Sequence, residues 1–362
     1  MAKALSMRPF KVALVDSGEP SHSVPAWVCN ALALENIDFL VQGCESTEDL
    51  AVHASDSDLV WVWGSRILSQ SRLDVLRNCG AILRSGSGTD NVPVAEATQR
   101  NVFVINTPGA VAQEVSEHTI ALLLSVVRQT AAQDRLIRSG IWEMRRENNR
   151  WHLQGSTLGL IGFGHIAQLV AEKVRSFGIR ILVHDPWIPE EYIRGRAAEP
   201  VDLRTLLSVS DFISIHCPLT EETHHLIGDE EIRLMKEHVI VINTSRGPIV
   251  DEAALVRALQ EKRIGGAGLD VFEREPLPAD SRLSQLDTVV LTPHIAGYSD
   301  AYPASFWRYS VESIIAVANG FWPRSVVNPS VQPRWPLRRR QWPLHPENNE
   351  ISPDGDGGRA HP

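Results

Sequence analysis

The chain has 362 residues, 43% of them hydrophobic, enough for two domains with a core in each. A formal net charge of −9 and a pI near 5.8 exclude a surface built for nucleic acid or an anionic membrane, so an anionic ligand has to be held by local positive groups. The four cysteines, at 29, 44, 79 and 217, have neither C-x-x-C nor zinc spacing, and no apolar run approaches the ~18 residues of a membrane span, which points to a cytoplasmic protein in a reducing compartment.

The first apolar block, Lys11-Val-Ala-Leu-Val-Asp16, is too short for a signal sequence and reads as a strand. Helical spacing over 24–34 follows, then an apolar run at 39–41, a polar helix-like stretch, and Leu59-Val-Trp-Val-Trp63. Further apolar blocks stand at 73–76, 81–83 and 102–105. Strands alternating with helical segments predict a parallel sheet whose ligands lie at the carboxyl ends of its strands. Two such ends stand out, Trp63-Gly-Ser-Arg66 and Arg84-Ser-Gly-Ser-Gly-Thr-Asp90. In the second, Gly86 and Gly88 flank Ser87 and can turn consecutive backbone N–H groups toward an anion; the same residues also make an ordinary turn.

After Asn106-Thr-Pro-Gly109, an apolar-periodic segment from about 111 to 137 predicts one long helix crossing into a second domain. Trp142 and Trp151 occupy the polar connection 140–155, packed on their own domain or at a subunit interface. Next comes Thr157-Leu-Gly-Leu-Ile-Gly-Phe-Gly-His-Ile-Ala167, a strand running into a helical segment over 166–177. This is the G-x-G-x-x-G/A pattern in its proper context. Gly162 allows a sharp turn, Gly164 lets backbone N–H groups approach a pyrophosphate, and Ala167 keeps the helix close to the strand. His165 and Ile166 count with the two glycines as cofactor-binding. The next strand, 179–184, ends in Asp185, 21 residues beyond Gly164. A carboxylate there accepts hydrogen bonds from a ribose diol and repels a 2′-phosphate, so NAD is expected rather than NADP.

Helix-like segments at 201–209, 229–235 and 252–261 then alternate with strands at 211–217, 239–243, 267–272 and 289–294, and a helix over 305–320 returns to the first domain. The expected fold class is α/β, with two Rossmann- or flavodoxin-like domains, doubly wound parallel sheets and a cleft between them. Residues 1–107 form the first domain, completed by 298–330; residues 108–297 form the NAD-binding domain; 331–362, rich in Pro, Gly, Asn and charge, are expected to be a disordered tail.

Three polar segments close strands of the second domain. Asn243-Thr-Ser-Arg-Gly247 carries Arg246, whose donors form a fixed fork that matches a carboxylate. Gly268-Leu-Asp-Val-Phe-Glu-Arg-Glu-Pro276 carries Asp270 and Glu275, and Thr292-Pro-His-Ile-Ala-Gly297 carries His294. Singly, the arginine, glutamate and histidine read as a strand cap, a turn acid and a core histidine. Together, at the rim where a nicotinamide lies, they make a hydride-transfer constellation: Arg246 orients an acid group and polarises the neighbouring carbonyl, His294 exchanges the proton, and Glu275 stabilises the imidazolium. His224-His225 has no third ligand at useful spacing and H-E-x-x-H is absent, so no metal is expected.

These three segments, with 157–167, His216-Cys-Pro-Leu-Thr220 and Asn106-Thr-Pro-Gly109, resemble in their order the signatures of the D-isomer-specific 2-hydroxyacid dehydrogenases, over about residues 10–330. The resemblance implies catalytic roles for Arg246, Glu275 and His294, and contacts from Ser87 and Gly88, with Arg246, to a substrate carboxylate. It implies NAD as cofactor, with Val115, Cys217, Pro218, Thr244 and Asp270 around it besides Asp185. It also implies the split first domain as the substrate domain, and a homodimer formed through the cofactor domain. Trp63-Gly64-Ser65 stands where phosphoglycerate dehydrogenases carry an arginine-bearing loop. The implied activity is NAD-dependent interconversion of a small 2-keto acid, such as glyoxylate or hydroxypyruvate, and a D-2-hydroxy acid. The alternatives are an NAD-sensing, corepressor-like scaffold, or an enzyme acting on phosphite or 3-phosphoglycerate.

Overall fold

The structure is a computed structural model that describes residues 8–15, 24–63, 68–142 and 152–341. The chain divides into two compact units, Met1–Ala110 with Pro303–Pro362, and Val111–Tyr302. In the first, β1 (Phe10–Leu14), α1 (Ala26–Leu34), β2 (Ile37–Val41), α2 (Thr47–His53), β3 (Leu59–Trp63), α3 (Gln70–Asp74), β4 (Ala81–Ser85), α4 (Val94–Gln99) and β5 (Phe103–Asn106) follow in turn. The strands form one parallel sheet in the order β2-β1-β3-β4-β5. Leu59, Val60, Trp61 and Val62 are all 0% exposed, because a parallel sheet covered on both faces buries successive residues rather than alternate ones. Helix α2 opens on a capping box: Ser46 Oγ accepts the Asp49 N–H and the Asp49 carboxylate accepts the Ser46 N–H.

The second unit runs α5 (Ala112–Arg128), α6 (Thr130–Arg138), β6 (Thr157–Ile161), α7 (His165–Val174), β7 (Arg180–His184), α8 (Glu190–Arg194), β8 (Glu199–Pro200), α9 (Leu203–Val209), β9 (Phe212–Ile215), α10 (Asp229–Leu234), β10 (Ile240–Asn243), α11 (Glu252–Gln260), β11 (Gly266–Leu269) and β12 (Val289–Leu291). Its parallel sheet has the order β12-β11-β10-β9-β6-β7-β8. The winding reverses between β6 and β9, and in such a sheet the ligand crevice lies beyond the strand ends at that point. One apolar cluster, with Ile213, Val241, Leu255 and Leu269, packs on one side; another, with Leu122, Val126, Leu158 and Val170, packs on the other.

Helix α12 (Tyr302–Ala318) begins at the last residue of the second unit, and its remainder belongs to the first. There Trp307 meets Trp61 edge-on, ring centroids 5.1 Å apart. Ser310 Oγ lies 3.0 Å from Ser85 Oγ, which in turn accepts the Trp61 indole N–H at 2.8 Å, so the polar atoms of this buried contact satisfy one another.

Several expectations are corrected. The single helix over 111–137 is two, because Gln129 adopts φ 54° and ends α5 in a left-handed cap, its N–H directed to the Ser125 and Val126 carbonyls. The structureless tail does not begin at 331. The chain packs on the first unit as far as Arg338, whose N–H donates to the Gly320 carbonyl: Trp335 stands edge-on to Phe10 and Phe103, centroids 5.8 and 6.1 Å apart, and Arg334 donates to the carbonyls of Arg77 and Arg100. The buried Val331 and the Trp335 ring, set on an existing ring wall, anchor a segment that is otherwise mostly polar. Trp142 is 90% exposed and does not pack on its own unit. Trp151, residues 64–66 of the Trp63 loop, and residues 342–362 lie outside the described residues.

Candidate active site

The glycine-rich turn leaves β6 at Gly162, which has φ +90°; a Cβ there would stand 2.7 Å from the Cys217 backbone nitrogen. Only glycine meets both demands, the left-handed backbone and the close approach of the loop after β9. Gly164 is the N-cap of α7 with no side-chain hydrogen bond of its own, His165 and Ile166 open the helix, and a Cβ on Gly164 would meet nothing within 4 Å. Open space at an uncapped helix N-terminus fits a pyrophosphate. Asp185, just past β7, accepts the Phe163 N–H at 2.8 Å through Oδ2, and those of Trp187 and Ile188 at 2.9 and 3.2 Å through Oδ1. The candidate ribose-binding acid is thereby tied to the phosphate turn. These features fit an NAD molecule.

The loops after β9 and β10 continue the row. Ser245 Oγ donates to the Cys217 carbonyl at 2.5 Å, and Thr244 Oγ1 is 2.9 Å from Thr119 Oγ1, one helical turn beyond the buried Val115. Burial raises the Cys217 thiol to about 11, which makes it a neutral wall beside Pro218 rather than a nucleophile. Asn243, the last residue of β10, shapes the Arg246 loop: its Oδ1 accepts the Ser245 N–H at 3.0 Å and its Nδ2 donates to the Arg246 carbonyl at 2.9 Å. Gly247 then passes so close to the next loop that a Cβ would stand 1.9 Å from the Phe272 carbonyl carbon. That contact brings the Arg246 loop against the one carrying Glu275.

His294 Nδ1 lies 2.6 Å from Glu275 Oε2, with the two side chains 49% and 35% exposed. Glu275 also accepts the Phe272 N–H at 3.0 Å. Burial pushes the Glu275 carboxyl up, but the hydrogen bonds from His294 and Phe272 and the nearby His294 and Arg246 charges outweigh it and hold it below the usual range. The group is therefore a carboxylate at neutral pH, and Nδ1 carries the hydrogen between it and the imidazole. His294 itself has φ 55°, a conformation uncommon outside glycine. Asp270, 0% exposed, supports that loop by accepting the Ile295 and Ala296 N–H groups at 2.9 Å each.

Ser87 and Gly88 belong to the first unit, beyond β4. Their loop is pinned from one side: Asn106 Nδ2 donates to the Ser87 carbonyl at 2.7 Å, and the Gly86 N–H donates to Thr107 Oγ1 at 2.7 Å. The His224 and His225 rings stack at 4.1 Å, and His225 Nε2 is 2.8 Å from Glu273 Oε1. No group of three metal-ligating side chains occurs among the described residues. Sequence reasoning missed two organisers of the loops, Asn243 and also Thr292, whose Oγ1 donates to Asp270 Oδ1 at 2.6 Å. Their one visible signal is position, since each is a short polar residue at or next to the end of an apolar strand.

A family model described as the NAD binding domain of D-isomer specific 2-hydroxyacid dehydrogenases matches residues 120–296. The chain is 37% identical over 332 residues to the glyoxylate reductase of Thermofilum pendens, covering 89% of this chain and 95% of that protein. It is 42% identical over 241 residues to the hydroxypyruvate reductase of Thermotoga maritima, covering 66% of this chain and 77% of that one. A solved glyoxylate reductase from Paecilomyes thermophila matches with a TM-score of 0.80 at 26% identity, over 90% of this chain and 99% of its own. The glycine turn with its tied acid, the two parallel sheets and these likenesses agree: the chain is an NAD-dependent oxidoreductase and belongs to the D-isomer-specific 2-hydroxyacid dehydrogenase family.

Proposed function

We propose that this protein reduces a small 2-keto acid, glyoxylate or hydroxypyruvate, to the D-2-hydroxy acid, with Arg246, Glu275 and His294 as its catalytic residues. The observation that carries the reading is the 2.6 Å His294–Glu275 hydrogen bond, with the Arg246 charge acting on the same carboxylate. NADH, when bound, supplies the hydride that the keto carbon receives. Arg246 holds the substrate carboxylate in its donor fork and draws electron density from the adjacent carbonyl. Because Nδ1 of His294 is engaged with Glu275, the proton for the keto oxygen leaves from Nε2. Glu275 fixes that tautomer and stabilises the imidazolium. In the oxidative direction the same nitrogen takes the proton back.

Ser87 and Gly88 bind the substrate carboxylate through backbone N–H groups. Gly162, Gly164, His165 and Ile166 hold the pyrophosphate, and Asp185 holds the ribose and favours NADH over NADPH. Val115, Cys217, Pro218, Thr244 and Asp270 line the rest of the cofactor. A homodimer is supported by the exposed Ile137, Ile141 and Trp142, at 52%, 37% and 90%. A cytoplasmic location is supported by four cysteines that form no disulfide with one another; among the described residues no helix is long and apolar enough to cross a membrane.

The test is the fall in NADH absorbance with purified protein across glyoxylate, hydroxypyruvate, pyruvate and phenylpyruvate, with NADPH alongside. Efficient turnover of glyoxylate or hydroxypyruvate with NADH is expected. Tight NADH binding without turnover of any of these acids would overturn the reading.

A further inference from the structure

His118, on α5, has no place in the roles assigned above, yet its ring reaches the loop that carries His294. Its Nε2 lies 2.9 Å from Thr292 Oγ1 and 3.6 Å from Asp270 Oδ1. Thr292 Oγ1 donates its own hydrogen to Asp270 Oδ1 at 2.6 Å. The hydroxyl has no second hydrogen to give, so it receives one from His118, and the Nε2 of that ring carries hydrogen. The donation fixes a rotor: with a lone pair turned to His118, the hydroxyl hydrogen is directed at the carboxylate.

Asp270 is the hub of the His294 loop. Besides Thr292 Oγ1 it accepts the Ile295 and Ala296 N–H groups at 2.9 Å each, and its backbone carbonyl accepts the His294 N–H at 2.8 Å. Three successive N–H groups thus wrap one buried residue, and the wrap holds His294 at φ 55°. Glu275 holds the His294 ring and Asp270 holds the backbone around it, so the loop is clamped at two points. Taking the proposed role of His294 as given, we infer that His118, acting through Thr292 and Asp270, is a positioning residue that sets where the His294 ring stands. Without its donation the Thr292 hydroxyl is free to turn. Asp270, 0% exposed, then loses its side-chain donor, and the left-handed turn at His294 loses part of its support.

The test uses the full-length protein in three variants: His118→Leu, of similar size with no donor; His118→Gln, which keeps a donor; and Thr292→Val, which swaps the hydroxyl for a methyl. The spectroscopic readout is the downfield proton signal of the His294 Nδ1–H in histidine-labelled protein, assigned by its loss in His294→Gln. We expect His118→Leu and Thr292→Val to shift or broaden that signal and lower kcat about 10- to 100-fold. KM for the keto acid and Kd for NADH should stay within about twofold, and His118→Gln should recover most of the loss. An unchanged signal in both His118→Leu and Thr292→Val overturns the inference. So does an equal loss of NADH affinity and kcat, which marks a merely structural role. Should His118→Leu fail to fold, Thr292→Val decides alone. The signal needs no substrate, so absence of turnover in the unaltered protein would count against the proposed function while the positioning role is still decided.

Discussion

Glu275→Gln removes a charge and keeps the shape. Two unit charges about 4 Å apart interact by roughly 4 kcal/mol at an effective dielectric of about 20. The His294 and Glu275 side chains are 49% and 35% exposed, so solvent screens part of that. What remains is the worth of a charge-assisted hydrogen bond, about 1.5–3 kcal/mol, which matters only while His294 holds its extra proton. The cost therefore falls on kcat, by about 10- to 100-fold. KM and NADH affinity hold within about twofold, because the amide oxygen still accepts the Nδ1 hydrogen. The pH dependence has a definite sign. Burial raises the Glu275 carboxyl, but its hydrogen bonds and the neighbouring positive charges win and its folded value is depressed. Its contribution is thus complete above the unfolded value of about 4.3 and is lost as pH falls through the lower folded value. In steady-state assays with saturating NADH, the unaltered enzyme should lose kcat in that acid window, and the variant should lack this component. A variant kcat within twofold of the unaltered enzyme across the pH range would rule out the role given to this charge.

Three further substitutions probe other residues. His294→Ala should leave NADH binding intact, by fluorescence titration, and abolish turnover; an undiminished kcat would sink the assigned mechanism. Asp185→Ala removes the acceptor of the Phe163, Trp187 and Ile188 N–H groups, and should narrow the preference for NADH over NADPH at least tenfold or so; an unchanged ratio of kcat/KM values would refute the role of that carboxylate. Trp335→Ala deletes the ring that meets Phe10 and Phe103 and should destabilise the first unit by about 2–3 kcal/mol, seen as an earlier thermal transition with NADH affinity unchanged; an unaltered melt would show that the packed segment adds nothing to stability.

The candidate site was legible in the sequence because its parts lie where parallel sheets put chemistry. Strands such as Val239-Ile-Val-Ile-Asn243 are apolar on both faces, so the polar residues that end them stand out, and Arg246, Glu275 and His294 each follow such a strand within a few residues. The break at Gln129 left no such mark. No glycine or proline stands there; Gln129, 7% exposed at φ 54°, is at once the C-cap of α5 and the N-cap of α6. Trp335 was hidden by averaging, since a tryptophan in a stretch of proline and arginine does not change its composition, and only the ring wall of Phe10 and Phe103 makes it an anchor. His118 was hidden for a third reason. Its partner Thr292 is 174 residues away, and no periodicity within α5 distinguishes a histidine that faces a buried carboxylate from one that faces water. The residues in the proposed catalytic roles are marked by the element they terminate, whereas the proposed positioning residue is marked only by contacts between elements. The latter therefore becomes visible only when hydrogens are assigned one bond at a time, as at Thr292, where one hydroxyl hydrogen serves Asp270 and so obliges His118 to supply the other.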